Sequence, residues 1–235
     1  MKELGASLIT MRHLCFERDI KIIEDIGGVD YLHVDIMDGH YVPRYGIYPE
    51  IIQEITKISN IPLDIHLMVE DISFSISQID KISNIDSISF HYFKNEGKIF
   101  KYVDQIKELN AKPILVVDLS TPMNAIVPLI ESGELDGVMF MGIHPGVLVQ
   151  RHRPNTVIAQ LKELMSRTRL PDNFKIQIDG GFSFNTAQDL ARAGINSFVG
   201  GSSSIFHNTI DIVDEVSLCN HVSKNIQEIT RLIGR

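Results

Sequence analysis

The chain has 235 residues, 44% hydrophobic and 22% charged, the balance of a soluble globular protein. Its formal charge of -8 argues against a nucleic-acid scaffold, which needs clustered Lys and Arg. Cys15 and Cys219 form no C-x-x-C pair, so a thiolate zinc site has no support, and no apolar run approaches the ~20 residues of a membrane span.

Residues 1–7 show no cationic stretch followed by an apolar one, and a cytosolic location is expected. Short β-rich runs then alternate with longer amphipathic ones. A strand over 6–9 precedes a helix over 16–26, where Ile20, Ile22, Ile23 and Ile26 fall near helical spacing. A strand over 30–37 is followed by a helix over 49–58, and a strand over 63–69 by a helix over 72–82. The pattern continues with a strand at 87–91 and a helix at 100–109, then a strand at 113–117 and a helix at 122–130, with Pro122 suited to a first turn. A strand at 137–141 leads to a helix at 156–165, and one at 175–179 to a helix at 185–193. The last strand is expected at 195–199 and the last helix at 214–232. Eight alternations in this length predict a single (β/α)8 TIM barrel over 1–235. A doubly wound sheet is the alternative, but its G-x-G-x-x-G fingerprint after the first strand is absent.

Three of the predicted strands carry groups that are costly to bury. His33 and Asp35 are two apart and share a face of one strand, His66 sits on the next, and Asp179 ends the seventh. Buried imidazoles and carboxylates need partners. Two of each, meeting at the carboxyl ends of barrel strands, suit a divalent cation, and the carboxylates are also able to move protons. Taken singly, each has an ordinary structural reading. His91, ending the fourth strand, is read as structural.

The motifs His33-Val34-Asp35-Ile36-Met37-Asp38-Gly39-His40-Tyr41-Val42-Pro43, Pro62-Leu63-Asp64-Ile65-His66-Leu67-Met68-Val69 and Asp179-Gly180-Gly181, with the opening Ala6-Ser7-Leu8, occur in order across the chain. Together they resemble the ribulose-phosphate 3-epimerase family, including its allulose-6-phosphate branch. The resemblance implies one divalent metal (zinc, iron, manganese or cobalt) held by His33, Asp35, His66 and Asp179. Asp35 and Asp179 would then be the paired acid and base. Ser7 matches a residue that hydrogen-bonds near the reacting centre, Met37, Met68 and Met141 match an apolar collar around the reacting carbons, and His66 and Gly146 are also expected to contact the substrate. The implied partner is a sugar-phosphate substrate, with neither nucleic acid nor membrane, in a homo-oligomer.

The resemblance breaks after the sixth strand. Where the family reads Asn-Pro-Gly-Phe-Gly-Gly-Gln, this chain has His144-Pro145-Gly146-Val147-Leu148-Val149-Gln150. Gly146 and Gln150 remain, but Leu148 and Val149 resist the backbone conformations that two glycines allow, which argues against a phosphate cradle there. Arg44 and Asp118-Leu119 replace the family's Asn and Asn-Pro, and Ser202 replaces a glycine. Phosphate is expected instead at Gly180-Gly181 and Gly201-Ser202-Ser203, using N–H groups near helix starts. Arg44 or Arg151 would contact a longer or more anionic substrate.

The expected activity is C3 epimerisation of a ketose phosphate, by default D-ribulose 5-phosphate to D-xylulose 5-phosphate. A hexulose or heptulose phosphate is the alternative. A sugar-phosphate decarboxylase-like barrel would need a Lys near its Asp motif, and no Lys lies between Lys21 and Lys57. A non-catalytic sugar-phosphate-binding barrel would tolerate loss of an acid or a ligand, and this chain keeps all of them.

Overall fold

A computed structural model describes residues 1–93, 97–147 and 150–235. Among these, eight parallel strands close into a barrel in sequence order. They are β1 (Glu3–Ser7), β2 (Tyr31–Met37), β3 (Leu63–Met68), β4 (Ile85–His91), β5 (Lys112–Val117), β6 (Gly137–Met141), β7 (Lys175–Asp179) and β8 (Ser197–Gly200). Between and after them run α1 (Phe16–Ile26), α2 (Pro49–Ile58), α3 (Ile72–Gln78), α4 (Ile99–Glu108), α5 (Met123–Glu131), α6 (Pro154–Arg167), α7 (Ala187–Ala193) and α8 (Glu215–Ile233). The expected TIM barrel is what forms. No helix among the described residues is long and apolar enough to cross a membrane.

Local chemistry explains where elements begin and end. α1 buries Ile20, Ile22 and Ile23 and stops at Gly27, whose φ of 69° suits a residue without Cβ. Asp71 accepts from Phe74 N–H at 2.9 Å to cap α3, and Asp214 accepts from Ser217 N–H at 2.7 Å to cap α8. Pro49 and Pro154 open α2 and α6, where a missing N–H costs nothing.

Element ends shift from the sequence pattern by up to four residues, β4 starting at Ile85 and α6 running from Pro154 to Arg167 among them, and in four elements the shift has a local cause. β1 pairs with β8 from Glu3 and ends at Ser7, because Leu8–Thr10 curls into a 3-10 turn closed by Thr10 Oγ1–H on Ser7 O. α3 ends four residues early, as Ile79 and Ile82 switch to i→i−3 bonds. α7 starts at Ala187 instead of 185, since Thr186 Oγ1 accepts from Ser183 N–H and donates to Gly181 O. β8 starts at Ser197, after Asn196 spends its side chain on the Ile176 N–H and the Phe174 carbonyl.

The barrel core packs between sheet and helices, with Leu32, Val34, Ile65, Phe90 and Phe140 among its fully buried members. A separate apolar cluster of Ile114, Val116, Met139 and Met141 joins β5 to β6. Register then sets the site. Asp35 lies beside His66 and Met37 beside Met68 across β2 and β3, His33 lies beside Asp64, and on the far side of β3 Asp64 and His66 pair with Ser87 and Ser89 of β4.

Candidate active site

His33, Asp35 and Met37 alternate along β2, so all three share one face, as do Asp64, His66 and Met68 on β3. From across the barrel, Asp179 ends β7. One ligand atom each from His33, Asp35, His66 and Asp179 lies within 4.8 Å of the others. His33 Nε2 is 3.3 Å from Asp35 Oδ1 and 4.0 Å from Asp179 Oδ2, while His66 Nδ1 is 3.3 and 3.5 Å from the same oxygens. Both imidazoles are fully buried, and these two nitrogens have no hydrogen-bond partner.

Each imidazole is oriented from behind. His33 Nδ1 meets Asp64 Oδ2 at 2.7 Å, which leaves Nε2 facing the carboxylates. Asp64 is buried and also accepts from Gln177 Nε2–H at 2.7 Å and from Ser87 Oγ–H, with Lys175 Nζ 3.6 Å away. Lys175 lies 4.3 Å from the centre of the Tyr31 ring, and Tyr31 pairs with Ser197. His66 Nε2 meets His91 Nε2 at 3.0 Å, and His91 Nδ1 is 3.3 Å from Asp118 Oδ1. Of these partners, sequence pattern marked none as functional. Asp64 was legible in principle, being two residues from His66 on the same face.

The electrostatics follow from burial and neighbours. Burial pulls His33 and His66 toward neutrality, but Asp35, Asp179 and, for His33, Asp64 outweigh it and raise both pKa values. Burial disfavours ionised Asp35 and Asp64. For Asp35, His33 and His66 prevail; for Asp64, Lys175, His33 and Ser87 do; both carboxyls are held well below the usual range. His91 is pushed down, chiefly by burial. A bound cation would supply the positive charge that Asp35 and Asp179 favour at this spot.

Above the cluster is a cavity of about 470 Å³ lined by Ser7, Asp35, Asp179 and the three methionines Met37, Met68 and Met141. Its lining also includes Gly146, Gly180, Gly181, Gly201, Ser202 and Ser203, so most of the residues singled out by sequence share one space. His33 and His66, fully buried, are not among the described lining residues and reach the cavity's edge only through Asp35 and Asp179, so His66 is not exposed to it as a substrate contact. Arg44 and His152 also line it; Arg151 is exposed and is not among the described lining residues. Leu148 and Val149 lie outside the described residues. Positive φ at Gly180 and Gly181, 73° and 74°, turns the chain sharply after β7. A Cβ at Gly142 would lie 2.1 Å from Gly180 O, so the turns after β6 and β7 touch there. The segment after Gly201 is a series of turns: Ser204 and Phe206 N–H groups both donate to Gly201 O, and regular helix resumes only at Glu215.

The profile of the Ribulose-phosphate 3 epimerase family matches residues 3–206. The chain belongs to that family. It is 31% identical over 204 residues to the ribulose-phosphate 3-epimerase of Methanocaldococcus jannaschii, covering 86% of this chain and 83% of that one. The Helicobacter pylori (strain J99) enzyme of the same name is 34% identical over 184 residues, or 77% and 82% of the two chains. This ribulose-phosphate 3-epimerase family member is therefore an isomerase, of the class that epimerises carbohydrates. Solved structures reach further at the level of fold alone. The 3-hexulose-6-phosphate synthase of Salmonella typhimurium superposes with a TM-score of 0.66 at 18% identity, over 97% of this chain and 100% of that one. A tryptophan synthase α-subunit variant from Pyrococcus furiosus gives 0.69 at 13%, over 98% and 100%.

Proposed function

We propose that this family member inverts C3 of a ketose phosphate, interconverting D-ribulose 5-phosphate and D-xylulose 5-phosphate, with one divalent cation held by His33, Asp35, His66 and Asp179. The observation that carries the reading is the pair of buried, partnerless nitrogens, His33 Nε2 and His66 Nδ1, aimed at two carboxylates. Such a donor set fits zinc, iron, manganese or cobalt alike. A cation there would offset the negative charge that develops on the substrate oxygen as the C3 proton leaves.

The remaining work falls to the chain's own groups. Asp35 on β2, ionised, takes the C3 proton as general base. Asp179, on β7 across the barrel, starts protonated and delivers its proton to the opposite face of the flattened carbon. The two carboxyls exchange protonation states in each turnover and reset with solvent, and the reverse reaction swaps their roles. Met37, Met68 and Met141 surround the reacting carbons without an exchangeable proton. Ser7 hydrogen-bonds near the reacting centre, and backbone N–H groups at Gly180, Gly181, Ser202 and Ser203 receive the phosphate, beside Gly201, whose own N–H is held by Ser204 Oγ. A six- or seven-carbon ketose phosphate is the second reading, favoured by Arg44 in the cavity wall.

Turnover in deuterated water tests this directly. Ribulose 5-phosphate recovered from the reaction should carry solvent deuterium at C3. Retention of protium there, for five-, six- and seven-carbon ketose phosphates alike, refutes the proposal; exchange confined to a longer ketose selects the second reading.

A further inference from the structure

We infer that Asp118 is a positioning residue for the ligand nitrogen of His66, acting through the imidazole of His91. The inference rests on the cation site proposed above and concerns where the protons of two buried rings must sit.

A cation on His66 Nδ1 needs the lone pair of that nitrogen, which leaves the ring proton on Nε2. His66 Nε2 lies 3.0 Å from His91 Nε2, with the two rings only 18° from parallel. One of these nitrogens must donate and the other accept. With His66 donating, His91 Nε2 accepts, and the proton of His91 is forced onto Nδ1. That nitrogen is buried, lacks a hydrogen-bond partner, and lies 3.3 Å from the equally partnerless Asp118 Oδ1. The two unmatched atoms thus become donor and acceptor once the first ring is set. Were His91 to carry its proton on Nε2 instead, two N–H groups would oppose each other, or the proton of His66 would move to Nδ1 and block its lone pair.

The surroundings hold Asp118 and His91 in register. Asp118 N–H donates to Thr121 Oγ1 at 2.9 Å, and the side chain of Gln160 on α6 donates to the carbonyls of Asp118 and Thr121. Tyr41 lies 4.9 Å from the His91 ring centre and is itself met edge-on by Phe93. The side chain of Asp118 is 30% exposed, so the chain of contacts runs from the ligand cluster to the edge of solvent. Partners of this kind fix the tautomer of a ligand imidazole and raise its basicity.

The test uses the full chain, stripped with a chelator and titrated calorimetrically with Zn²⁺, alongside ¹⁵N-histidine spectra of the zinc-loaded protein. Asp118→Leu should weaken zinc binding by about 10- to 100-fold, the usual effect of losing such a partner, and should shift His91 toward the Nε2–H tautomer. Asp118→Asn keeps an acceptor oxygen and should stay within a few-fold of wild type. Unchanged affinity and tautomer in Asp118→Leu would overturn the inference while leaving the cation site standing, as would an Asn variant as weak as the Leu one. Should the Leu variant not fold, the wild-type spectrum decides: a proton on His91 Nε2 with zinc bound refutes it. No zinc binding by wild type would overturn the site and this inference together.

Discussion

Replacing Asp64 by Asn isolates the network beneath the ligands, because it removes one charge and almost no volume. Asp64 Oδ2 receives His33 and Gln177, while Oδ1 receives Ser87 and faces Lys175 at 3.6 Å. An amide has a single acceptor oxygen, so its NH₂ must oppose the donors on one side. The cheaper orientation keeps His33 and Gln177 and turns the NH₂ toward Ser87 and Lys175. Losing a charge-assisted hydrogen bond costs about 1.5–3 kcal/mol, and breaking a buried ion pair about 3–5 kcal/mol. Glu3, 3.8 Å from Lys175 but 44% exposed, offsets part of this, so about 3 kcal/mol is expected. With a urea slope near 3 kcal/mol/M the midpoint falls by about 1 M. Lys175→Met supplies the second arm of a cycle: the double variant should be less destabilised than the sum of the singles by about 1–3 kcal/mol. Additivity within about 0.5 kcal/mol would show that Asp64 and Lys175 do not hold each other, and would refute the reasoning.

Three further outcomes are expected. Asp179→Asn should cut kcat by about 10²- to 10⁴-fold with an unchanged melting temperature, and an active variant removes Asp179 from proton transfer. Gly142→Ala places a Cβ 2.1 Å from Gly180 O and should displace the turn that receives phosphate, raising KM more than it lowers kcat; steady-state kinetics that show no rise in KM would count against that turn. Asp38 is partly exposed: burial raises its pKa, but backbone N–H groups of Glu70, His40 and Tyr41 outweigh this and hold it below the usual range. The stabilisation is therefore complete above the unfolded carboxyl pKa of about 3.9 and fades as pH falls through the lower folded value. The melting-temperature gap between wild type and Asp38→Asn should be constant from neutral pH down to about 5 and shrink below about 4; a gap that widens in acid contradicts the sign.

Much of the fold was legible because strands and helices leave different apolar periods, and the two periods alternate from residue 3 onward. The ligand cluster was legible for a related reason: His33 and Asp35, or His66 on its apolar strand, stand out as ionisable groups in runs that must be buried. What sequence did not disclose is pairing across the closed barrel. Asp64 meeting Lys175 and Gln177, or His91 meeting both His66 and Asp118, depends on the register of strands far apart in the chain. His91 looked like packing because nothing local marks it. The misplaced ends of β1, α3, α7 and β8 trace to Thr10, Ile79 and Ile82, Thr186, and Asn196, whose turn bonds compete with regular structure without altering the hydrophobic pattern.

The lumen of this barrel is lopsided. Its lining from β5 and β6 is greasy, through Ile114, Val116, Met139 and Met141, whereas β2, β3 and β7 contribute Tyr31, Asp64, Lys175 and Gln177 locked by directional bonds. Greasy positions tolerate shape-preserving exchange one residue at a time. Bonded ones tolerate change only in matched sets, because each lone replacement strands a donor or a charge. Neutral drift inside the barrel should accordingly run along β5 and β6 and stall at these positions of β2, β3 and β7.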